Sequence, residues 1–234
     1  MTSPHPLLGP LTALVSHLRW RAGTPEDGDL LAVDLAADAN RLAAVVAASA
    51  EGRGSDDLQV LGSLWWQAYS FRVAGMTLAA WALTGAAPDP AAPGTGVGMA
   101  RSRPSSLLVD PAAAVIAHLP SLIERLFAGH LDRVAESLRT GHSLGVQLIW
   151  GDTAAGIASA LGGIGTAEDA PPLRDRVDEV TAALPHEIPH LGTWTPGGWA
   201  FRRRTCCLWW KTTASNGLLC EDCSLRPAPE GAKP

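Results

Sequence analysis

Four cysteines, Cys206, Cys207, Cys220 and Cys223, fall within one eighteen-residue stretch near the C-terminal end of the chain, and none precedes them. Deprotonated thiols are soft donors, so a Cys-Cys-x12-Cys-x2-Cys arrangement supplies the ligand set of an iron–sulfur cluster or of a tetrahedral zinc ion, two groups that ligand type alone does not separate. Spacing is more informative. Zinc ribbons present two Cys-x2-Cys knuckles, whereas the first half here is a vicinal pair. Consecutive side chains of an extended segment point to opposite faces, so closing Cys206 and Cys207 on one ion needs a sharply bent backbone. A larger two-iron core tolerates that geometry better. On residue chemistry, iron–sulfur, structural zinc and a redox dithiol or disulfide stay open, with iron–sulfur favoured.

The rest of the chain must position these thiols. Its 234 residues, 47% of them hydrophobic, suffice for one substantial core or two small ones and exclude disorder of the whole chain. A formal net charge of −5 offers no general electrostatic case for a nucleic-acid partner. The N-terminal residues lack a basic segment, and the apolar run from Leu7 to Val15 lacks a small-residue cleavage site, so no secretory signal is expected. The stretches from Val73 to Pro88 and Thr153 to Ala167 are uncharged but too short and too rich in glycine or alanine to span about 30 Å of bilayer. The expectation is a soluble, cytoplasmic protein without a membrane span. Bunched cysteines in a reducing cytosol argue for metal or redox chemistry over a disulfide framework.

Helical periodicity dominates the first 190 residues. Leu30, Leu31, Leu35, Leu42, Val45 and Val46 predict a first helix that closes at Gly52 to Ser55. A second, from Asp57 to Leu83, is apolar on nearly every face, with Gln67 and Arg72 as its few strongly polar interior positions, and must be mostly buried. Prolines and glycines from Pro88 to Gly98 break regularity, and short strands are expected at Val97 to Ala100 and Leu107 to Val109. A 3.6-residue period from Pro111 to Leu138 predicts helix, broken near Pro120. Leu144 to Leu161 reads as a buried helix and Leu173 to Leu184 as an amphipathic one. After Pro185 the texture changes to proline, glycine and tryptophan. The fold expected is mainly α-helical and bundle-like with short β elements: a helical scaffold over 1–190, a small cysteine-rich module over 191–226, and a disordered tail over 227–234.

Arg202-Arg203-Arg204-Thr205-Cys206-Cys207-Leu208-Trp209-Trp210, followed by Cys220-Glu221-Asp222-Cys223, resembles the C-terminal signature of the FhuF-like ferric siderophore reductases. In that family a basic segment precedes a Cys-Cys pair, an apolar or aromatic pair follows, and Cys-x2-Cys closes a [2Fe-2S] site. Leu148-Ile149-Trp150-Gly151-Asp152, leading into an alanine-rich helix, is similar to another segment of the family. The likeness is sharp over Phe201 to Leu225 and elsewhere a matter of length and helical texture. One departure is the gap between the cysteine pairs, which at twelve residues, Leu208 to Leu219, is slightly longer than the family's. An exposed loop over Lys211 to Gly217, turning at Asn216-Gly217, would absorb an even-numbered insertion without inverting either arm.

The resemblance implies a [2Fe-2S] cluster on Cys206, Cys207, Cys220 and Cys223 and one-electron reduction of a cytoplasmic Fe(III)-siderophore, commonly of hydroxamate type. Hard hydroxamate oxygens hold Fe(III) far more tightly than Fe(II), so one added electron loosens the metal. No nucleophile or general base is required. The chain carries no recognisable nicotinamide or flavin site, so the electron must come from an external donor such as a ferredoxin, a flavodoxin or a reductase. Arg202, Arg203 and Arg204 are candidates to face substrate or donor, or simply solvent, and with Lys211 to offset the charge of the cluster. Trp199, Trp209 and Trp210 are expected to shield it. The alternative from another class is a non-enzymatic binding or scaffolding protein with a structural zinc site on the same four cysteines.

Other signals are weaker. His186-Glu187-Ile188-Pro189-His190 spells the zinc-protease motif, but Pro189 forbids the helix that would align its imidazoles. Gly94-Thr95-Gly96-Val97-Gly98 follows a proline-rich loop rather than a strand and reads as a turn. His118, His130 and His142 are expected at helix surfaces or satisfied core positions, and Arg101 and Arg103 in a solvated loop.

Overall fold

Asp38 divides the first helical stretch of the sequence. In the computed structural model, which describes residues 19–23, 25–26, 28–168, 171–186, 188–195 and 199–226, strand β1 (Trp20–Ala22) is followed by β2 (Leu30–Leu31), α1 (Ala32–Ala37) and α2 (Ala39–Ala48). The Asp38 carboxylate accepts hydrogen bonds from the Asn40 and Arg41 amides, both at 3.0 Å, and so caps a new helix where a continuous one was expected. Leu30 and Leu31 are strand rather than helix, pairing with Val97 and Gly96. A side chain at position 96 could not be accommodated there, since its Cβ would lie 2.1 Å from the Leu30 carbonyl oxygen. The Leu7 to Val15 run and the 227–234 tail lie outside the described residues.

Residues 58–84 form α3, as the apolar pattern required. It is α-helical over Leu58–Ser70 and Met76–Thr84, with a π turn at Phe71–Gly75 between them. Asp57 caps its start, accepting from Gln59 and Val60, and Gly85, at φ 79°, ends it in the left-handed conformation. Trp65, Trp66 and Tyr69 are fully buried on it.

Strands β3 (Ala87–Pro88), β4 (Gly96–Ala100), β5 (Arg103–Val109) and β6 (Val115–Ile116) follow. A four-stranded sheet runs β1-β5-β4-β2, with β1 parallel to β5 and the other pairs antiparallel, while β3 pairs with β6. Both expected strands are present, and both are longer than expected. Arg103 and Pro104 belong to β5, not to a loop. Among the described residues β1 pairs only with Leu107 to Val109 and no second strand lies beside the start of β5, where proline is tolerated.

Residues 119–142 form α4, again with an internal π turn, Phe127–Leu131. Pro120 does not break this helix but stands in its first turn, where a missing amide and a fixed φ are harmless; its ring forbids helix further back, and Val115 and Ile116 are strand. Helices α5 (Val146–Glu168) and α6 (Pro171–Ala183) and the hairpin β7 (Gly192–Trp194) and β8 (Phe201–Arg203) complete the chain. The fold is thus mainly helical with short strands. Among the described residues no helix is long and apolar enough to cross a membrane.

Helices α3 and α5 meet backbone to backbone at the π turn. A Cβ added at Gly75 would lie 2.7 Å from the Gly156 carbonyl oxygen, and one at Gly156 would lie 2.9 Å from the Phe71 nitrogen. The Trp66 indole donates across the same contact to the Ile149 carbonyl at 2.9 Å. Most buried apolar residues form a single core that includes both helices, and Trp194, Trp199 and Phe201 pack against it.

The π turn of α4 carries His130, which is buried as expected of a satisfied core histidine. Its Nδ1 lies 2.6 Å from the Pro90 carbonyl oxygen and its Nε2 2.6 Å from the Tyr69 hydroxyl. A carbonyl only accepts, so Nδ1 carries the proton and the Tyr69 hydroxyl donates to Nε2. Burial pulls the imidazole down from its ordinary value to about 4. The unfolded chain therefore binds this proton more readily than the folded one. The stabilisation is complete above pH 6.5 and is lost as the pH falls from there toward 4. Urea unfolding should show a loss of about 2 kcal/mol between pH 7.5 and pH 5 that His130→Asn lacks. Equal pH slopes in the two proteins would refute the assignment.

Candidate metal centre

The thiols are delivered by the β7–β8 hairpin. Arg203, the last residue of β8, donates its amide to the Asp222 carbonyl at 3.0 Å, and Arg204 donates to Leu191 at 2.7 Å, so the chain enters Cys206 from a fixed direction. Immediately after Cys207, Leu208 adopts the left-handed conformation, φ 65° and ψ 5°. The bend falls after the vicinal pair and not between its members, and a non-glycine residue holds it only where its surroundings compel it. Two 3-10 turns, Trp209–Lys211 and Thr213–Ser215, lead to a turn at Asn216 and Gly217, both at positive φ, and the chain returns to Cys220. The segment expected as an exposed loop is exposed at five of its seven positions, Lys211 to Gly217, and turns where expected, but it is also docked. Thr213 and Ala214 donate amides to the Gly54 and Arg53 carbonyls, each at 3.2 Å, and Thr212 and Ser215 are buried.

All four cysteines are free thiols; Cys207 and Cys223 are buried, Cys206 and Cys220 half-buried. The Cys207 and Cys220 sulfurs lie 3.4 Å apart. Burial pushes the Cys206 thiol up, and Cys206 lies near enough to Cys223 for that thiol to push it up further, so thiols of the two arms face one another. The hydrogen bond to Cys220, together with burial, pushes the Cys207 thiol up, while the same bond lowers Cys220. The amides of Leu208 and Leu225 donate to Cys206 and Cys223, at 3.4 and 3.5 Å, and the Trp209 amide donates to Cys207.

Among the described residues no group of three or more His, Cys, Asp or Glu side chains is already set to hold a metal ion. The donor set nonetheless suits a [2Fe-2S] group. Thiolates on one tetrahedral metal, at about 2.3 Å from it, stand about 3.8 Å apart, close to the Cys207–Cys220 separation. The donor chemistry suits a pair of irons and a single tetrahedral ion alike.

Arg203 underlies this arrangement. Of the three arginines expected to face substrate, donor or solvent, it is buried, with its side chain 1% exposed, whereas Arg204 is exposed and Arg202 donates to the Arg226 carbonyl. Its Nη1 donates to Asp152 at 3.0 Å and its Nε to Asp222 at 2.7 Å. The other Asp152 oxygen accepts from the Ser63 hydroxyl at 2.7 Å, and that hydroxyl also lies 3.1 Å from the Cys207 carbonyl oxygen. One network therefore joins α3, α5, the cysteine arm and the Cys-x2-Cys arm. Burial pushes the Asp152 carboxyl up, against the pull of Arg203 and Ser63. Gly151 beside it has no room for a side chain: a Cβ there would lie 1.8 Å from the Thr205 hydroxyl oxygen. Gly151-Asp152 thus receives the module, one residue by contact and the other by charge.

A cleft of about 550 Å³ opens beside the module. Its floor is the small-residue face of α5, including Gly156, Ser159 and Gly163. Gln67, Phe71 and Arg72 of α3 form one wall, and Trp199, Glu221 and Asp222 another. Arg72 donates to the Ser105 carbonyl at 2.9 Å and lies over the Phe71 ring at 4.6 Å, and Arg174 lies over the Trp199 ring at 4.5 Å. Burial lowers the Arg72 guanidinium from its ordinary value. Gln67 and Arg72 were legible as polar breaks in an apolar helix. Asp152 lay in the segment from Leu148 to Asp152 that resembles the family's, but without a role; Ser63 and the cleft face of α5 carried no chemical signature.

The expected tryptophan shield is divided. Trp209 packs with Val60, Leu64 and Cys207, Trp210 is exposed, and Trp199 lies against α5 in the cleft. The protease-like segment is no helix: Ile188–His190 is a 3-10 turn, His186 stacks on Trp150 with ring centres 4.2 Å apart, and Glu187 lies outside the described residues. His118 meets Ser121 at the surface, and His142 is buried. Neither a search of protein-family models nor one of curated proteins yields a match to this chain.

Removing one partner of a buried ion pair strands the other charge, so Arg203→Leu should destabilise the protein by about 3–5 kcal/mol. Arg203→Leu combined with Asp152→Leu should recover part of that loss. Urea unfolding of the single and double variants measures both; a neutral single variant would contradict the role assigned to Arg203.

Proposed function

We propose that the protein is a one-electron ferric reductase of the FhuF-like class, in which Cys206, Cys207, Cys220 and Cys223 hold a [2Fe-2S] cluster and the adjoining cleft receives a ferric siderophore in the cell interior. The observation that carries the reading is adjacency. The chain's four thiols gather where the two arms meet, with the Cys207 and Cys220 sulfurs 3.4 Å apart, and the residues between Cys220 and Cys223, Glu221 and Asp222, are themselves a wall of the cleft. In this reading Cys207 and Cys220 share one iron, and Cys206 and Cys223 the other.

Such a cluster supplies a single electron, which lowers the affinity of hydroxamate oxygens for the iron they hold. The protein's own residues do the remainder. The cleft is wide enough for a drug-sized ligand and offers two aromatic faces, Phe71 and Trp199, with polar groups from Gln67, Arg72 and Ser159. Arg203, charged and buried beside Cys207, opposes the negative charge that four thiolates bring and favours a reduced state.

A single-turnover experiment tests this. Anaerobic protein is reduced, freed of excess reductant and mixed with a ferric hydroxamate in the presence of a ferrous-specific chelator. One equivalent of trapped Fe(II) per chain is expected, and none from Cys207→Ser. Ser159→Trp, which fills the cleft, should keep the visible spectrum and slow trapping about tenfold or more. NADPH alone should leave the oxidised protein unchanged. A colourless zinc protein that yields no Fe(II) would favour the alternative of a structural zinc site on the four cysteines.

A further inference from the structure

The cysteine module has a second face, away from the cleft. Trp210, Leu218 and Leu225 are 46%, 70% and 52% exposed, and they are three of the seven large apolar side chains exposed among the described residues. None of them lines the cleft. Hydrogen bonds connect them into one strip. The Ser215 hydroxyl, which donates to the Thr212 carbonyl at 2.8 Å, also lies 3.3 Å from the Trp210 carbonyl oxygen, the Ser215 carbonyl accepts the Leu218 amide, and the Arg226 guanidinium donates to the Leu219 carbonyl beside them. The Leu225 amide in turn points at the Cys223 sulfur. Each apolar residue lies within three positions of a cysteine, and exposed Lys211 and Arg226 sit next to Trp210 and Leu225. The exposed carboxylate of the module, Glu221, faces the cleft instead.

An apolar strip flanked by cations, on a chain whose net charge is −5, is locally opposite in sign to the molecule that bears it. Apolar contact with a positive rim fits a partner of negative surface charge, which opposite charges steer and a small apolar contact releases quickly.

We infer that this strip is the docking surface for a small acidic protein carrying single electrons. The inference rests on the proposed reading of the thiols. Electron transfer weakens steeply with distance, and the half-buried Cys206 and Cys220 are the thiols nearest to solvent. One electron leaves the reduced carrier, which is oxidised, and reduces the metal group of this chain; no bond forms or breaks.

The test uses anaerobically purified full-length protein and a plant-type [2Fe-2S] ferredoxin as the probe. Calorimetric titration should show binding at low salt that weakens about tenfold or more at physiological ionic strength. Leu218→Ser and Lys211→Glu, at positions with little packing, should each weaken it several-fold, and together with Trp210→Ser about tenfold or more. In these variants dithionite should still bleach the visible bands, so that lost electron entry from ferredoxin reports docking and not damage. Variants that bind and accept electrons as the parent does would overturn the docking face alone. So would a strip that binds anionic vesicles or a second copy of the chain in place of ferredoxin. A protein without bands for dithionite to bleach would overturn the cluster reading and the docking face together.

Discussion

A guanidinium buried between two carboxylates holds this molecule's chemistry in place. Arg203 bridges Asp152 of α5 and Asp222 of the Cys-x2-Cys arm, and Ser63 of α3 extends the network to the backbone of Cys207. A buried ion pair of this kind is weak evidence for stability, because desolvation opposes its attraction, but it is exacting about geometry. Any other placement of the module would leave charges buried without partners. That demand fixes the two cysteine arms against two helices that belong to the main core.

The same helices build the cleft. Where α3 and α5 touch at Gly75 and Gly156, the π turn offsets Phe71 and Arg72 from the α-helical pattern of their neighbours, and beyond the contact the small side chains of α5 leave a floor open to solvent. π turns inside α-helices recur at functional sites because they displace a few side chains without ending the helix. Here the displacement puts a cation and a ring on the wall opposite Trp199. Scaffold, thiols and cleft therefore follow from one contact between helices and one between charges.

Much of this was legible in the sequence. The central helix announced itself by being apolar on nearly every face, and Gln67 and Arg72 stood out on it as exceptions; both line the cleft. The vicinal pair implied a sharp bend only if both cysteines closed on one ion, and the bend that is present, at Leu208, follows the pair. Local competition explains the errors. Asp38 is as good a cap as it is a helix residue, and Pro120 starts a helix as readily as it breaks one. Arg203 reads like its neighbours Arg202 and Arg204, because its partners Asp152 and Asp222 are distant in sequence or appear as ordinary surface acids. The docked turn from Thr212 to Ser215 was missed for the same reason: the Arg53 and Gly54 carbonyls that hold it leave no mark in composition.

The central claim is that these four thiols jointly hold a redox-active pair of irons and not a single redox-silent ion. Quantifying metal and acid-labile sulfide in protein purified without oxygen tests it most directly. The account predicts two irons and two sulfides per chain, lost together when any one of the four cysteines is replaced by serine. One zinc per chain with no sulfide would contradict it.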